Sequence, residues 1–178
     1  MHRLFVALRP PETLRDLLID TMEGLDGARW QGDEQLQLTL RFVGEVDAPQ
    51  ANDLADALWA VRAEPFVLRV RGVGHFARKR RASALWAAFE PSEGLAILHR
   101  RVERACRAAG LVPETRKFVP HVTIARLNAS TGPIDGWLAQ HGRLTSPAWP
   151  VERFVLYESQ LADHGANYTP VIQYPLVK

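Results

Sequence analysis

"LFVALRPPETLRDL", residues 4–17, returns in altered form as "LWAAFEPSEGLAIL", residues 85–98. Leu4, Ala7, Pro10, Glu12, Leu14 and Leu17 match Leu85, Ala88, Pro91, Glu93, Leu95 and Leu98. That makes six identities in fourteen positions, where average residue usage gives about one. Each copy begins as a short apolar strand and turns, through a proline, into a helix. Leu14, Leu17, Leu18, Met22 and Leu25 keep helical spacing in the first copy, and Leu95, Leu98, Val102 and Cys106 in the second. Pro10 and Pro11 suit the start of the first helix, Ser92 an N-cap for the second, and Gly110 its stop.

The repeat continues downstream. "LQLTLRF" (36–42) and "PHVTIAR" (120–126) both place a polar residue, an apolar residue, threonine and an aliphatic in register, 84 positions apart. A strand turns alternate side chains to opposite faces. Gln37, Thr39 and Arg41 are therefore expected on one face, and His121 and Thr123 on one face of the other strand, with Arg126 of opposite parity and assigned to structure. A further helix is predicted over 50–62, with strands over 65–74, 150–158 and 167–176 and a short helix near 133–141. Strands alternating with helices usually mean a parallel sheet. The repeat instead predicts an α+β fold of two pseudo-symmetric lobes, each an antiparallel sheet with helices outside and a groove between them. Residues 1–178 then form a single domain of two interleaved, repeat-related lobes.

The 178 residues, 47% hydrophobic and 24% charged, describe an ordinary globular chain. No apolar run is long enough for a bilayer span, and "LFVAL" is too short for a signal-peptide core. The single cysteine, Cys106, excludes an intrachain disulfide and fits a reducing cytosol. There is no zinc spacing, phosphate loop or dinucleotide fingerprint. A formal net charge of +2 is compatible with an anionic substrate.

If the two motif faces meet, a phosphodiester between them has one apical oxygen near position 37 and the other near His121. Histidine takes or gives a proton near neutrality, and threonine hydroxyls donate to the non-bridging oxygens. An H-x-T-x motif at His121 and its Q-x-T-x counterpart at Gln37, about eighty residues apart, with "RLFVALRPPE", "LTLRFVGEV", "GVGHF", "ALWAAFEP", "FVPHVTIARL" and "LYESQL" around them, resemble the paired motifs of the two-histidine (2H) phosphoesterases. More closely, they resemble bacterial and archaeal RNA 2′,3′-cyclic phosphodiesterases, also called 2′-5′ RNA ligases. The resemblance implies opening of 2′,3′-cyclic phosphate ends of RNA, or of small cyclic nucleotides, to 2′-phosphates. That acid–base chemistry needs no metal, no cofactor is expected, and the chain is expected to be a cytoplasmic monomer without a membrane. His121 takes the role of the base that activates water, with Thr39 and Thr123 on the phosphate. The first-motif histidine, the general acid, is replaced by Gln37, which has no titratable proton. Two further readings stand beside the enzyme: a degenerate module that binds RNA ends without turnover, and a phosphodiesterase for another small cyclic phosphate.

Four other residues are candidates for substrate contact. Arg41 shares the face of Thr39. Phe5 and Trp86 are repeat-related aromatics that serve either the core or base stacking. His75, in "GVGHF", is a candidate substitute acid. His2, His99, His141 and His164 are assigned to surface or packing. "ARKRRAS" (77–83) puts four cations in a hairpin loop, either solvated or touching RNA phosphates.

Overall fold

In a computed structural model, which describes residues 1–163 and 165–178, the chain is mixed α+β. The strands are β1 (His2–Leu8), β2 (Arg29–Trp30), β3 (Leu38–Val46), β4 (Phe66–Leu68), β5 (Val70–Arg78), β6 (Arg81–Phe89), β7 (His121–Arg126), β8 (Trp149–Val151), β9 (Arg153–Ala162) and β10 (Gly165–Pro175). The helices are α1 (Glu12–Ile19), α2 (Ala48–Leu58), α3 (Glu93–Ala108) and α4 (Asp135–His141). None of them is long and apolar enough to cross a membrane. His164 lies outside the described residues.

Helix ends follow local chemistry. Asp47 accepts from Gln50 N at 2.9 Å and Pro49 fills the first turn, so α2 begins two residues before the apolar stripe predicted it. Ser92 Oγ accepts from Leu95 N at 3.1 Å, and Gly110, at φ 91°, follows the end of α3. Two stretches expected as single strands are each divided. Phe66–Leu68 pairs with Trp149–Val151 in a small two-stranded sheet, and the chain then crosses at Arg69 and at Glu152 into the main sheet.

The main sheet runs β10-β9-β1-β3-β7-β6-β5, with β2 also on β7, and every pairing is antiparallel. The path has two parts, β10-β9-β1-β3 and β7-β6-β5. They join as one path through a single residue pair, Leu38↔Val122. One core serves both halves: Val6, Leu8, Leu38, Leu85, Val122 and Ile124 from the sheet bury against Leu14, Leu18, Leu54, Leu58, Leu95 and Leu98 from the helices. The opposite face is left to a small aromatic cluster and a cleft.

Each motif strand carries a β-bulge. Along β3, Val6 pairs with Arg41 and Ala7 with Thr39, leaving Leu40 as the extra residue. Along β7, Leu85 pairs with Ala125 and Trp86 with Thr123, leaving Ile124 as the extra residue. A bulge sets two residues against one and interrupts the alternation of faces. Leu40 and Arg41 therefore both turn to the core, as do Ile124 and Ala125. Phe42 and Arg126 return to the cleft face.

Two expectations are corrected by this geometry. Arg41 is not on the groove: it is 6% exposed and forms an ion pair with Glu103, Nε to Oε2 at 2.9 Å, while its Nη2 donates to the Val112 carbonyl. Arg126, assigned to structure on parity, lines the cleft. The bulges also show a slip in the repeat. Opposite the motif threonines stand Ala7 and Trp86, whereas the sequence alignment matches Phe5 to Trp86. The slip is two residues, so the face is preserved but the position along the strand is not.

At the far end of the second half, β5 and β6 are joined by a two-residue turn, Lys79-Arg80, with φ of 51° and 67°. A hairpin turn with both residues at positive φ favours Asn-Gly, and the left-handed conformation costs other L-residues about 1–2 kcal/mol each.

The Arg41–Glu103 pair is buried on both sides, with side-chain exposures of 5% and 12%. Removing one member of such a pair leaves an uncompensated charge. Urea unfolding of Arg41→Met is expected to show a loss of about 3–5 kcal/mol, of which Arg41→Met/Glu103→Leu recovers only a part, because Glu103 also accepts from Glu114 N and Arg107 Nε. A loss below about 1 kcal/mol would mean that the pair behaves as a solvated one.

Candidate active site

The Leu38↔Val122 pair decides what meets across the junction. Both side chains are fully buried, so the residues flanking each of them turn the other way. The antiparallel register sets Gln37 alongside Thr123 and Thr39 alongside His121. A cleft of about 230 Å³ opens there, with Gln37, Thr39 and Phe42 from one half and Thr123 and Arg126 from the other in its wall. Arg3, Gln31, Gln35, Ser159 and Tyr168 complete the surround. Among the described residues no three His, Cys, Asp or Glu side chains gather as a ligand set.

His121 is partly exposed and stands two residues from Thr123 on the same face of β7, beside the cleft rather than in its wall. Its ring is held by aromatic neighbours: Phe76 edge-on at 4.9 Å and 89°, and Trp86 at 5.7 Å and 54°. Gly74 makes this possible, because a Cβ there would collide with the Trp86 ring. His121 Nδ1 donates to the Val119 carbonyl at 2.6 Å. That bond fixes the tautomer and leaves Nε2 with its lone pair. Burial lowers the pKa below 6.5, the Val119 bond opposes this and Arg126 adds to the lowering. The ring is therefore a neutral base at pH 7.

Gln37 is 7% exposed. Its Nε2 donates to the Glu34 carbonyl at 3.3 Å, and its Oε1 is buried without a partner among the described residues. A buried orphan acceptor costs about 1–3 kcal/mol. One in the wall of a cleft suits a ligand that brings a donor. Beside it, burial raises the pKa of the Tyr157 phenol, with Arg9 and the Gln37 amide pulling it part of the way back. The segment before Gln37 is anchored by Arg9, whose Nη1 donates to the Asp33 carbonyl at 2.8 Å and the Leu36 carbonyl at 3.0 Å. Arg15 donates to the Asp33 carboxylate at 2.9 Å and holds its pKa down. Gln35 reaches the Ala166 carbonyl at 3.1 Å, tying the segment to β10.

The other candidates separate. Phe5 lines the cleft and packs as well, stacked on Tyr157 at 5.1 Å and edge-on to Tyr168 at 4.7 Å. Trp86 is a wall for His121. His75 is exposed, and its cross-strand partner is the buried Leu85. Directly paired residues share a face, so His75 is on the side away from the cleft and is not a substitute acid. His2 pairs with Glu158 at 2.7 Å, His99 stacks on Phe118 at 3.8 Å, and His141 packs beside Trp137. Phe42, Arg126, Phe76 and Tyr157 are cleft-side residues that strand alternation did not find. Phe42 and Arg126 do stand 84 positions apart, the spacing of the motifs themselves.

The 2′-5′ RNA ligase superfamily profile matches residues 5–163. The chain belongs to this superfamily. A relative from Thermotoga maritima, named RNA 2′,3′-cyclic phosphodiesterase, is 32% identical over 174 residues, covering 93% of this chain and 91% of that protein. Two others so named, from Aeropyrum pernix and Geobacillus stearothermophilus, are matched over only 56% and 51% of their own lengths. Among solved structures, TT0787 of Thermus thermophilus superimposes with a TM-score of 0.81 at 27% identity, covering 98% of this chain and 97% of that one. Escherichia coli LigT complexed with 3′-AMP superimposes with a TM-score of 0.79 at 27% identity, covering 99% of each.

The environment of His121 makes a measurable claim. Its ring resonances should titrate in NMR with a midpoint below 6.5, and the neutral form should carry its proton on Nδ1. A midpoint above that value, or the Nε2–H tautomer, would remove the free base from the site.

Proposed function

We propose that this chain is an RNA 2′,3′-cyclic phosphodiesterase that opens a 2′,3′-cyclic phosphate to a 2′-phosphate, with His121 as general base. The observation that carries this reading is the junction of β3 and β7. It brings the threonines of both motifs into one cleft, with a histidine of fixed tautomer beside them. The names of the curated relatives and the 3′-AMP complex of LigT support the substrate class. In this reading His121 Nε2 takes a proton from water. The hydroxide so formed attacks phosphorus in line, and the bond to the 3′-oxygen breaks. Thr39 and Thr123 hydroxyls donate to the non-bridging oxygens, where charge grows in the transition state. The 3′-oxygen must then gain a proton to leave as a hydroxyl. Gln37, at the position suited to supply it, hydrogen-bonds but cannot protonate, so that proton comes from solvent.

The whole chain acts as one domain with the two halves as repeat-related lobes, a view supported by bulges with the same spacing as the motifs. We assign it to the cytoplasm as a monomer that works without a metal, for which turnover undiminished by EDTA is the check. The absence of a titratable group at position 37 favours one second reading, a module that holds RNA ends with little turnover. Hydrolysis of a 2′,3′-cyclic nucleotide by the unmodified chain separates the two.

General acid–base assistance is worth about 10²–10⁴-fold. Gln37→His should therefore raise kcat on a 2′,3′-cyclic nucleotide at least about tenfold, allowing for imperfect placement, and add an alkaline fall to the pH–rate profile. His121→Ala should abolish turnover in either background. If the unmodified chain already matches Gln37→His, another group protonates the leaving oxygen, and Tyr157→Phe is the variant to make. Retained turnover in His121→Ala would overturn the assignment of the base.

Removing both hydroxyls tests the phosphate contacts independently. Thr39→Ala/Thr123→Ala should bind a 2′-phosphorylated nucleotide about 5- to 160-fold more weakly, taking about 0.5–1.5 kcal/mol per hydrogen bond. Equal affinity in calorimetry would move the phosphate elsewhere.

A further inference from the structure

We propose that the β5–β6 hairpin is a docking arm for the ribose-phosphate backbone of the RNA strand that leads to the reacting end. Its direction along the strand rests on the function proposed above; its binding of RNA does not.

Charge is the first observation. Arg78, Lys79, Arg80 and Arg81 are four consecutive cations, all exposed, in a chain whose formal net charge is only +2. Among the described residues none of the four forms an ion pair, whereas Arg9, Arg15, Arg41, Arg107, Arg116 and Arg153 all do. The backbone is the second. Both turn residues hold positive φ, where Asn-Gly is the favoured pair and Lys-Arg is strained. Strand-edge protection would account for cations along β5, an edge strand of the sheet. It does not account for cations at the tip, beyond the last ladder pair Arg78↔Arg81.

Direction is the third observation. Phe76 packs edge-on against the His121 ring. Arg78 follows two residues on along β5, past a register shift between Phe76 and Ala77 and about 7 Å further from the cleft. Arg81 is its cross-strand partner. On the neighbouring strands Ala84 pairs with Arg126, and Arg126 with Arg29. The cations thus run along neighbouring strands from the cleft wall at Arg126 to the hairpin tip. An anionic polymer whose end lies in the cleft would meet them one phosphate after another. Guanidinium forks suit phosphate and carry no sequence preference. A mononucleotide seated in the cleft would not reach the tip, so the arm selects for polynucleotide over mononucleotide.

Two variants test this. Lys79→Asn/Arg80→Gly installs the favoured turn pair, so it removes two charges while relaxing the hairpin. Arg78→Gln/Arg81→Gln removes the two on the strands. Each is titrated by fluorescence anisotropy, over a series of salt concentrations, against a labelled oligoribonucleotide ending in a 2′-phosphate. Thermal unfolding reports the fold, and turnover of a 2′,3′-cyclic mononucleotide reports the active site. The expected result is that Kd at low salt weakens several-fold in each variant. The slope of log affinity against log salt should flatten by about 0.7 for each phosphate that is no longer neutralised, while mononucleotide turnover stays unchanged. An unchanged Kd and slope in the folded Lys79→Asn/Arg80→Gly variant would overturn the arm and leave a solvated loop. Weakened RNA binding with no mononucleotide turnover in any form of the protein would support the arm and instead remove the proposed catalysis. Should Arg78→Gln/Arg81→Gln fail to fold, the tip variant decides alone.

Discussion

One pair of residues, Leu38 and Val122, carries the joint between the two halves of the sheet. Each side chain has no exposed surface, and burial of a valine or leucine is worth about 1.5–3 kcal/mol. The joint is therefore held by apolar packing more than by hydrogen bonds. Its consequence is geometric. Because successive residues alternate, fixing 38 and 122 inward fixes 37, 39, 121 and 123 outward, each group beside one from the other strand. A slip of one residue would bury all four polar groups and expose the leucine and valine. The hydrophobic effect at the core thereby sets the register of the site, and the chemistry inherits its position from packing on the opposite face.

Beyond the joint, each motif strand is led in by an irregular segment that needs its own anchor. Arginine supplies it both times. Arg9 ties the stretch before Gln37 to Asp33 and Leu36. Arg41 ties the stretch before His121 to Glu103 and Val112, and Glu103 in turn accepts from Glu114 N at 2.9 Å. The same Glu103 oxygen takes Arg107 Nε at 3.2 Å, so the carboxylate serves α3 and the loop after it together. A guanidinium can bridge several carbonyl and carboxylate oxygens at once because it presents five donors in a fixed plane. Lysine in either place would satisfy fewer of them.

Much of this was legible in the sequence, and the remainder has a physical reason for being hidden. The repeat at 4–17 and 85–98, the helical stripes and the two outward-facing threonines all rest on periodicity, which survives translation into structure. The bulges do not announce themselves. Leu40-Arg41 and Ile124-Ala125 are ordinary strand residues, and a bulge costs one unpaired backbone position without demanding a particular side chain. Every inference made by parity past that point was inverted: Arg41 went to the core and Arg126 to the cleft. The two-residue slip between β1 and β6 was invisible for a similar reason, since it preserves the face of each residue and so leaves the alternation intact. It does change position along the strand, which is why Phe5 packs with Tyr157 and Tyr168 while Trp86 flanks His121.

The asymmetry at position 37 can be weighed against this background. In the second half, a backbone carbonyl takes the Nδ1 proton of His121 and aromatic rings shield it, an arrangement that lowers its pKa and keeps it ready to accept. In the first half, the corresponding surroundings are polar: the Glu34 carbonyl holds the Gln37 amide, Tyr157 stands beside it, and the amide oxygen has no partner among the described residues. An apolar residue at 37 would avoid the orphan acceptor and its cost of about 1–3 kcal/mol. Retaining an amide instead keeps a neutral side chain that both donates and accepts at the edge of the cleft. Stability alone gives no reason for that choice, whereas contact with a ligand's oxygen or hydroxyl does. The first half thus keeps a neutral side chain with hydrogen-bonding reach at the cleft edge while lacking a titratable proton. In the proposed reaction, the division of labour between the halves is positioning on one side and proton removal on the other.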